Sequence, residues 1–166
     1  MMKALILSDS HGSLGFMCDA VEREKPDVVI HLGDHFRDAE DLSAAFDEPE
    51  YYHVAGNCDF GFGAKKSLTI ELGGVRMFLT HGHLFDVKHD LDALRRQAEL
   101  EGARIALFGH THRAYNQMSG GIRLFNPGAC GSYGPLSYGV ITLHSGAYSC
   151  RIIREEDINN SEEATI

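Results

Sequence analysis

Several features that define other classes of protein are missing from this chain of 166 residues or are scarce in it. It has no tryptophan and four prolines, and no apolar run approaches the ~20 residues that a membrane-spanning helix needs. The segment before Ser8 is too short to hold the apolar core of a signal peptide. We therefore expect a single-domain globular protein with no membrane association.

Cysteine is also scarce, and its four positions are far apart. Cys18, Cys58, Cys130 and Cys150 lack the close spacing that structural zinc sites use. A chain of this length does not depend on disulfides for stability. We expect four reduced thiols and a cytoplasmic location.

Basic residues are outnumbered, because 15 Lys and Arg face 24 Asp and Glu, which gives a formal net charge of -9. A broad nucleic-acid-binding surface needs a basic footprint, so this class of protein is excluded. Five of the acids fall within residues 155–166, which contain no base. We predict one domain over residues 1–154, followed by an acidic, frayed tail over residues 155–166.

The chain does contain a clear alternation of strands and helices. Short apolar runs at 3–7, 28–32 and 51–55 predict buried strands, and helices are predicted after the first two of them. Further on, paired glycines separate predicted strands at 67–72 and 75–80, which is a hairpin pattern. A helix over 90–101, a strand over 104–108 and two more hairpins follow. We predict an α/β fold in which the two halves form two sheets packed face to face, with helices outside.

Polar side chains follow strand after strand, at the point where each predicted strand ends. Ligands of open α/β sheets bind at the carboxyl ends of the strands, so these side chains predict one converging site. Ten histidines in the chain strengthen this interpretation. The polar residues at the strand ends are Asp9, His11, Asp34, Asn57, Asp59, His81, His83, His110 and His112.

The types of side chain in this site indicate a metal centre. Carboxylate oxygen, amide oxygen and imidazole nitrogen together suit borderline divalent ions. Mg²⁺ or Ca²⁺ alone would need more oxygen ligands, and structural zinc would favour cysteine. We expect two divalent ions, with manganese first and iron, nickel, zinc or cobalt as alternatives.

The motif series resembles the calcineurin-like metallophosphoesterases. Its blocks are Asp9 with His11, Gly33 with Asp34, residues 56–59, residues 80–83 and residues 109–112. The resemblance runs from residue 5 to about residue 128. The short length and the Gly-Asn-Cys-Asp form of residues 56–59 are similar to the small, compact phosphodiesterase branch. The resemblance implies a four-layer α-β-β-α sandwich of two mixed sheets, with a dinuclear site at one edge of the domain.

The resemblance also implies a role for each motif residue. Asp9, His11 and His112 would bind one ion, and Asn57, His81 and His110 would bind the other. Asp34 would bridge both. Catalysis would rest on Asp34, Asn57 and His81, and substrate contacts on Asn57, Cys58 and His83, although His83 could also be only a polar residue at the rim.

This ligand set predicts hydrolysis of a small phosphate-ester or nucleotide-like substrate, by in-line attack of a metal-bridging hydroxide. A phosphodiesterase is the first hypothesis, and a phosphomonoesterase is a second. A third is a non-catalytic metal-binding scaffold, since a subunit of the retromer coat keeps this fold without phosphatase function. All seven ligands are present here, which favours the enzyme. Pairing of hairpin strands could also produce a homodimer.

Four positions leave alternatives open. Cys58 stands where many members of the superfamily have a histidine that protonates the leaving group, and a thiol with a pKa of about 8.5 is a poorer acid. Another rim group or water could serve instead, or the substrates could have good leaving groups. Asp59 is expected to orient its neighbours rather than bind metal. Ser8 and Ser10 lie beside Asp9 and His11, but a metal centre explains more of the pattern than a serine hydrolase does.

Overall fold

The computed structural model of the chain describes residues 1–61, 63–131 and 134–163. Ten strands, four α-helices and a short 3₁₀ turn at His83–Phe85 make up these residues. The elements in chain order are β1 (Met2–Leu7), α1 (Gly15–Glu24), β2 (Val28–His31), α2 (Arg37–Ala45), β3 (Glu50–His53), β4 (Ser67–Leu72), β5 (Val75–Thr80), α3 (Asp92–Leu100), β6 (Ile105–Leu107), β7 (Tyr115–Ser119), β8 (Ile122–Asn126), β9 (Ser137–His144), β10 (Ala147–Arg154) and α4 (Glu155–Glu163).

The strands form two mixed, five-stranded sheets. Sheet A has the order β10-β9-β1-β2-β3, and sheet B has the order β4-β5-β6-β8-β7. Within sheet A, β1, β2 and β3 are parallel and β9 is antiparallel to β1. Within sheet B, β5, β6 and β8 are parallel and both outer strands are antiparallel. The predicted fold class is confirmed.

The division of the chain between the sheets differs from the expectation that each half forms one sheet. The last hairpin, β9–β10, joins sheet A, with Met2 opposite Leu143. Without it, β1 would have a free edge, and its buried backbone groups would lack partners. The hairpin pattern of β9 and β10 was readable in the sequence, but the strand that β9 joins was not.

The four layers follow from the alternation of side chains along each strand. Ala4 and Ile6 of β1 face the core between the sheets, whereas Leu5 and Leu7 face α1 and α2. On the outer face of sheet B, Phe78 and Phe108 pack with α3 through Leu94 and Ala98. Three apolar interfaces therefore hold the α-β-β-α sandwich, because successive residues of a strand point to opposite faces.

The predicted frayed tail is wrong for residues 155–163, which form α4. Three acids in its first turn, Glu155, Glu156 and Asp157, lie where the positive end of the helix dipole stabilises negative charge. Ile158 packs against the apolar cluster between sheet A and α1. The prediction of a frayed tail relied on the number of acidic residues and overlooked the contact of Ile158 with the core. Within the part of the chain described here, no helix is long and apolar enough to span a membrane.

Candidate metal centre

Five loops at the carboxyl ends of β1, β2, β3, β5 and β6 meet at one edge of the sandwich. They bring two groups of ligand atoms together, and the atoms within each group lie within 4.8 Å of one another. One group comes from Asp9, His11, Asp34 and His112, and the other comes from Asp34, His81 and His110. Asp34 belongs to both groups, which is the position that the resemblance implies for a bridging carboxylate.

Within each group, the ligand atoms of different residues lie a short distance from one another. In the first group, His112 Nε2 lies 3.2 Å from Asp9 Oδ1 and 3.4 Å from His11 Nε2. In the second, His81 Nε2 lies 3.4 Å from Asp34 Oδ1. Asn57 joins this group, because its Oδ1 lies 3.1 Å from His81 Nε2. All seven predicted ligands therefore converge.

The Asp9 carboxylate is held from one side only. Its Oδ2 accepts hydrogen bonds from the Ser8 hydroxyl at 2.6 Å and from the His110 amide at 3.1 Å. Its Oδ1 is buried and has no hydrogen-bond donor among the described residues. Burial raises the pKa of Asp9, but the close imidazoles of His112 and His81 outweigh this effect and keep the pKa low. An ionised, buried oxygen without a donor fits a metal ligand.

Asp34 is likewise kept ionised. Burial raises its pKa, but the hydrogen bond with His81 and the Cys58 amide, which donates to Oδ1 at 2.9 Å, outweigh this and hold the pKa well below its usual range. His81 is oriented from behind, since its Nδ1 lies 2.8 Å from the Leu32 carbonyl oxygen. This contact leaves Nε2 free to face the site, as is typical of metal-ligating histidines.

Five of the seven predicted ligands have a backbone in the left-handed region. The φ angles are 56° for Asp9, 47° for His11, 57° for Asp34, 68° for His110 and 57° for His112. Asp and His tolerate this region better than most residues, but each instance still has a cost. Such conformations persist where surrounding contacts fix them. No pattern in the sequence predicted them.

Asp59 organises the loop after β2 rather than facing the ligand groups. Its Oδ2 accepts the Gly56 amide at 2.7 Å and the Asp34 amide at 2.9 Å. Its Oδ1 accepts the His35 amide at 2.7 Å and the Phe36 amide at 3.1 Å. One carboxylate thus ties the β3 loop to the backbone of Asp34, in agreement with the expected orienting role.

A buried chain of hydrogen bonds beneath the site was missed by sequence reasoning. The Gly33 amide donates to His31 Nδ1 at 3.2 Å, so the neutral ring carries its proton on Nε2, 2.9 Å from Ser10 Oγ. The Ser10 hydroxyl donates to Asp38 Oδ2 at 2.6 Å. Asp38, in the first turn of α2, points inward and also accepts the Gly12 amide at 2.8 Å.

The grouping of Ser10, His31 and Asp38 does not form a catalytic triad. The aspartate contacts the serine rather than the histidine, and all three side chains are buried. A nucleophilic serine needs access to substrate and a histidine held by the acid. The grouping instead supports the loop that carries Asp9 and His11.

The predicted substrate-contacting residues surround the ligand groups. Asn57 and Cys58 are exposed, and the His83 ring centroid lies 5.5 Å from that of His81. His83 Nδ1 is buried and lacks a hydrogen-bond partner among the described residues. The buried Asn126 fixes the loop that carries His110, because its Nδ2 donates to the Gly109 carbonyl oxygen at 2.9 Å and to Thr111 Oγ1 at 3.1 Å.

The residues fit a divalent metal site. The donors are two ionised carboxylates, one amide oxygen and four imidazoles, which is the mixture that borderline divalent ions accept. Asp9 Oδ1 supports the same interpretation, because it accepts no hydrogen bond from the described residues and a buried anionic oxygen needs a compensating positive charge.

Comparison with known proteins agrees with this geometry. A family model described as the calcineurin-like phosphoesterase superfamily domain matches residues 2–146. The chain is 34% identical over 169 residues to the probable metallophosphoesterase YsnB of Bacillus subtilis strain 168, and the alignment covers 96% of this chain and 98% of that protein.

Solved structures give the same fold. A conserved protein of Streptococcus pneumoniae TIGR4, described as a predicted phosphoesterase, superposes with a TM-score of 0.76 and 29% identity, over 93% of this chain and 90% of that one. Vps29 of Entamoeba histolytica, solved in complex with zinc, superposes with a TM-score of 0.74 and 19% identity, over 92% and 99% of the two chains. At this lower identity the likeness extends to the fold alone.

Proposed function

Because the chain belongs to the calcineurin-like phosphoesterase superfamily, we propose that it is a metal-dependent phosphodiesterase acting on small phosphate esters, nucleotide-like ones included. The observation that carries the proposal is the shared position of Asp34 between two groups of ligand atoms. A carboxylate in that position suits a two-ion site for in-line displacement at phosphorus.

The proposed ligand assignment follows the two groups. Asp9, His11 and His112 hold one ion, while Asn57, His81 and His110 hold the other, and Asp34 contributes to both. Manganese is the first candidate, and iron, nickel, zinc and cobalt suit the same donors. When bound, the two ions supply the positive charge that lowers the pKa of the attacking water and offsets the charge of the phosphoryl group.

The protein's own groups fix the geometry around this charge. The Leu32 carbonyl oxygen orients His81, and the Cys58 amide holds one oxygen of Asp34. Asn57 presents its amide at the exposed side of the site, where a substrate oxygen arrives. His83 lies beside His81, where its ring contacts the substrate side of the centre. Such positioning lowers the barrier because the reacting groups are aligned in advance.

Cys58 limits the choice of leaving group. Partial burial of its thiol and the adjacent Asp34 carboxylate raise the pKa of Cys58, so the thiol stays protonated at neutral pH and is neither a nucleophile nor an efficient acid. Without a strong general acid, an ester whose leaving group departs as a stable anion reacts fastest. We therefore expect a preference for diesters with acidic leaving groups, such as aryl esters.

The test starts from metal-stripped protein reloaded separately with Mn, Fe, Ni, Zn or Co. We expect hydrolysis of bis(4-nitrophenyl) phosphate to exceed that of 4-nitrophenyl phosphate. Asp34→Asn should lower the rate roughly a hundredfold or more, since even residues behind metal ligands contribute 10–100-fold. Asp41→Asn, an exposed change on α2, serves as the matched control and should keep the wild-type rate.

Each part of the proposal has its own contrary result. No turnover with any of the five metals would leave the metal-binding scaffold as the better hypothesis. Preference for the monoester would favour a phosphomonoesterase. Binding of one ion per chain, measured by metal analysis after gel filtration, would contradict the two-ion assignment.

A further inference from the structure

A cleft of about 580 Å³ opens beside the candidate metal centre. It lies between two segments: residues 87–91, which follow the short 3₁₀ turn, and residues 111–115, which lead into β7. Its volume is in the range of small-molecule sites, roughly 300–1,000 Å³. The metal-ligand assignment does not use this cleft.

The base of the cleft is apolar and partly aromatic. Val87 and Phe108 are buried, and Leu91 and Tyr115 are half-buried. The Phe108 ring supports that of Tyr115 from below, with centroids 6.2 Å apart and the planes tilted by 58°. The accessible side chains of Leu91 and Tyr115 favour a flat ring over a hydrated or strongly polar group, because they contribute apolar area and one aromatic face.

The rim of the cleft carries two cations without an ion-pair partner among the described residues. Lys88 and Arg113 line the cleft and are exposed. Of the neighbouring acids, the Asp86 carboxylate contacts His89 Nδ1 at 2.6 Å, and Asp90, which also lines the cleft, accepts the Asp92 amide through Oδ1 at 2.9 Å. In a chain with a formal net charge of -9, two unpaired cations on one cleft favour an anionic ligand.

The cleft borders two of the loops that carry the candidate metal centre. Thr111, which lines it, stands between the proposed ligands His110 and His112. Val87, at its base, packs against the residue that follows His81, since a Cβ atom on Gly82 would lie 2.7 Å from Val87 Cγ2. A molecule in the cleft therefore lies beside both loops.

We propose that this cleft binds the organic group of the substrate, and that this group is a planar ring bearing an additional phosphate. The ring packs on the half-buried Leu91 and Tyr115, and the additional phosphate contacts Lys88 and Arg113. The inference rests on the proposed phosphodiesterase function and adds its substrate class: nucleotide diesters that carry a second phosphate.

The test compares three esters that share one leaving group, 4-nitrophenolate. They are methyl 4-nitrophenyl phosphate, the 4-nitrophenyl ester of thymidine 5′-phosphate, and the same thymidine ester with a 3′-phosphate. Wild-type protein should show the lowest KM for the ester with the 3′-phosphate. Lys88→Gln and Arg113→Gln should each raise that KM about fivefold, the equivalent of one partly exposed ion pair, and leave the methyl ester within twofold.

Two further variants separate the parts of the cleft. Tyr115→Ser should raise KM for both thymidine esters and leave the methyl ester unchanged, because the ring loses its contact. Arg96→Gln removes an exposed cation of α3 outside the cleft and should leave all three esters unchanged. If Arg96→Gln and Arg113→Gln raised the KM for the 3′-phosphate ester equally, the proposal would be overturned, because the change in net charge alone would explain the higher KM.

Calorimetric binding of thymidine 3′,5′-bisphosphate gives a readout that needs no turnover. If wild-type protein hydrolyses the methyl ester, but Lys88→Gln and Arg113→Gln change neither the thymidine KM nor this affinity, the cleft proposal is wrong and the phosphodiesterase stands. If no ester is hydrolysed, but both variants weaken bisphosphate binding about fivefold, the enzyme proposal fails and the cleft stands. Equal binding by all variants overturns the cleft proposal in either case.

Discussion

At the scale of single residues, most side chains of the candidate centre belong to residues whose backbone is in the left-handed region. Asp9, His11, Asp34, His110 and His112 all have φ between 47° and 68°. A residue in this region turns the chain sharply and presents its side chain where an extended residue could not. Fixed amide donors hold these turns in place, among them the four that converge on Asp59. The protein's own hydrogen bonds therefore hold these turns without the help of a ligand.

Asp59→Asn tests this support. An amide has one acceptor oxygen, so two of the four backbone N–H groups would face a donor instead of an acceptor. We expect a loss of about 2–3 kcal/mol in the free energy of unfolding, measured with urea, because hydrogen bonds to charged groups contribute about 1.5–3 kcal/mol. Metal affinity should fall roughly tenfold. Asp41→Asn is the control, and equal stability of the two variants would contradict the role of Asp59.

His31 gives the stability a dependence on pH. Burial lowers the pKa of His31 from 6.5 to about 4, although the charges of Asp38 and Asp9 oppose this. Above pH 6.5 the ring is neutral in both the folded and the unfolded chain. Between pH 6.5 and pH 4 the unfolded chain binds a proton that the folded protein does not, so the folded state loses stability as the pH falls.

The expected contribution of His31 is a loss of about 2 kcal/mol in the free energy of unfolding between pH 7 and pH 5. His31→Asn keeps an acceptor for the Gly33 amide but cannot titrate, so this part of the loss should disappear. Urea unfolding at both pH values measures it, with the exposed His144→Asn as control. The same pH dependence in all three proteins would show that His31 does not cause it.

At the scale of elements, the backbone of the loop after β6 in sheet B packs against side chains of the loop after β1 in sheet A. A Cβ atom on Gly109, which follows β6 closely, would collide with the Ser8 hydroxyl and lie 2.8 Å from Asp9 Oδ2. Gly15, at the start of α1, has open space at the same position. Substitution by alanine is therefore expected to change the stability of the protein in opposite directions at the two glycines.

We expect Gly109→Ala to destabilise the protein by about 2 kcal/mol, as overpacking does, and to weaken metal binding by displacing Asp9. Gly15→Ala should stabilise it by about 0.5 kcal/mol, because it reduces the freedom of the unfolded chain and suits a helix. Thermal unfolding of both variants, with and without metal, measures the two effects. A stabilised Gly109→Ala would mean that the two loops are further apart than described.

The elements also indicate how far sequence reasoning reaches. The hairpin strands at 67–72 and 75–80 were predicted to the residue, because paired glycines mark the turn and the apolar pattern marks the strands. The five polar loops were found because Asp, His and Asn directly follow apolar runs. The pairing of β9 with β1 was not predictable, because it joins residues more than a hundred positions apart. The inward turn of Asp38 depends equally on a distant partner, Ser10.

At the scale of the whole molecule, the net charge of -9 does not conflict with a phosphate-bearing ligand. Five of the acids belong to α4, on the outside of sheet A. Two more, Asp9 and Asp34, lie in the candidate metal centre, where divalent ions would carry the opposite charge. Under the proposed function, bound metal together with Lys88 and Arg113 would set the sign of the local charge at the site, and the overall composition would not.

Metal binding should consequently stabilise the fold. A ligand present at 100 times its Kd adds about 2.7 kcal/mol to the free energy of unfolding if it binds the folded state alone. We expect Mn²⁺ to raise the melting temperature of stripped protein, and a chelator to reverse the change. Asp34→Asn should lose most of the increase, because Asp34 belongs to both ligand groups. An increase of the same size in this variant would contradict the assignment.

The position of β1 between β2 and β9 has a consequence for synthesis of the chain. All seven proposed ligands have been made once residue 112 is complete, but β9, at Ser137–His144, is made later. Until then, one edge of the strand that leads to Asp9 has no partner, and contacts over such separations form slowly. A nascent chain stalled before residue 137 would thus carry every metal-binding side chain on a sheet with an open edge. Pulse-proteolysis of ribosome-bound chains of increasing length would detect the step at which β9 closes it.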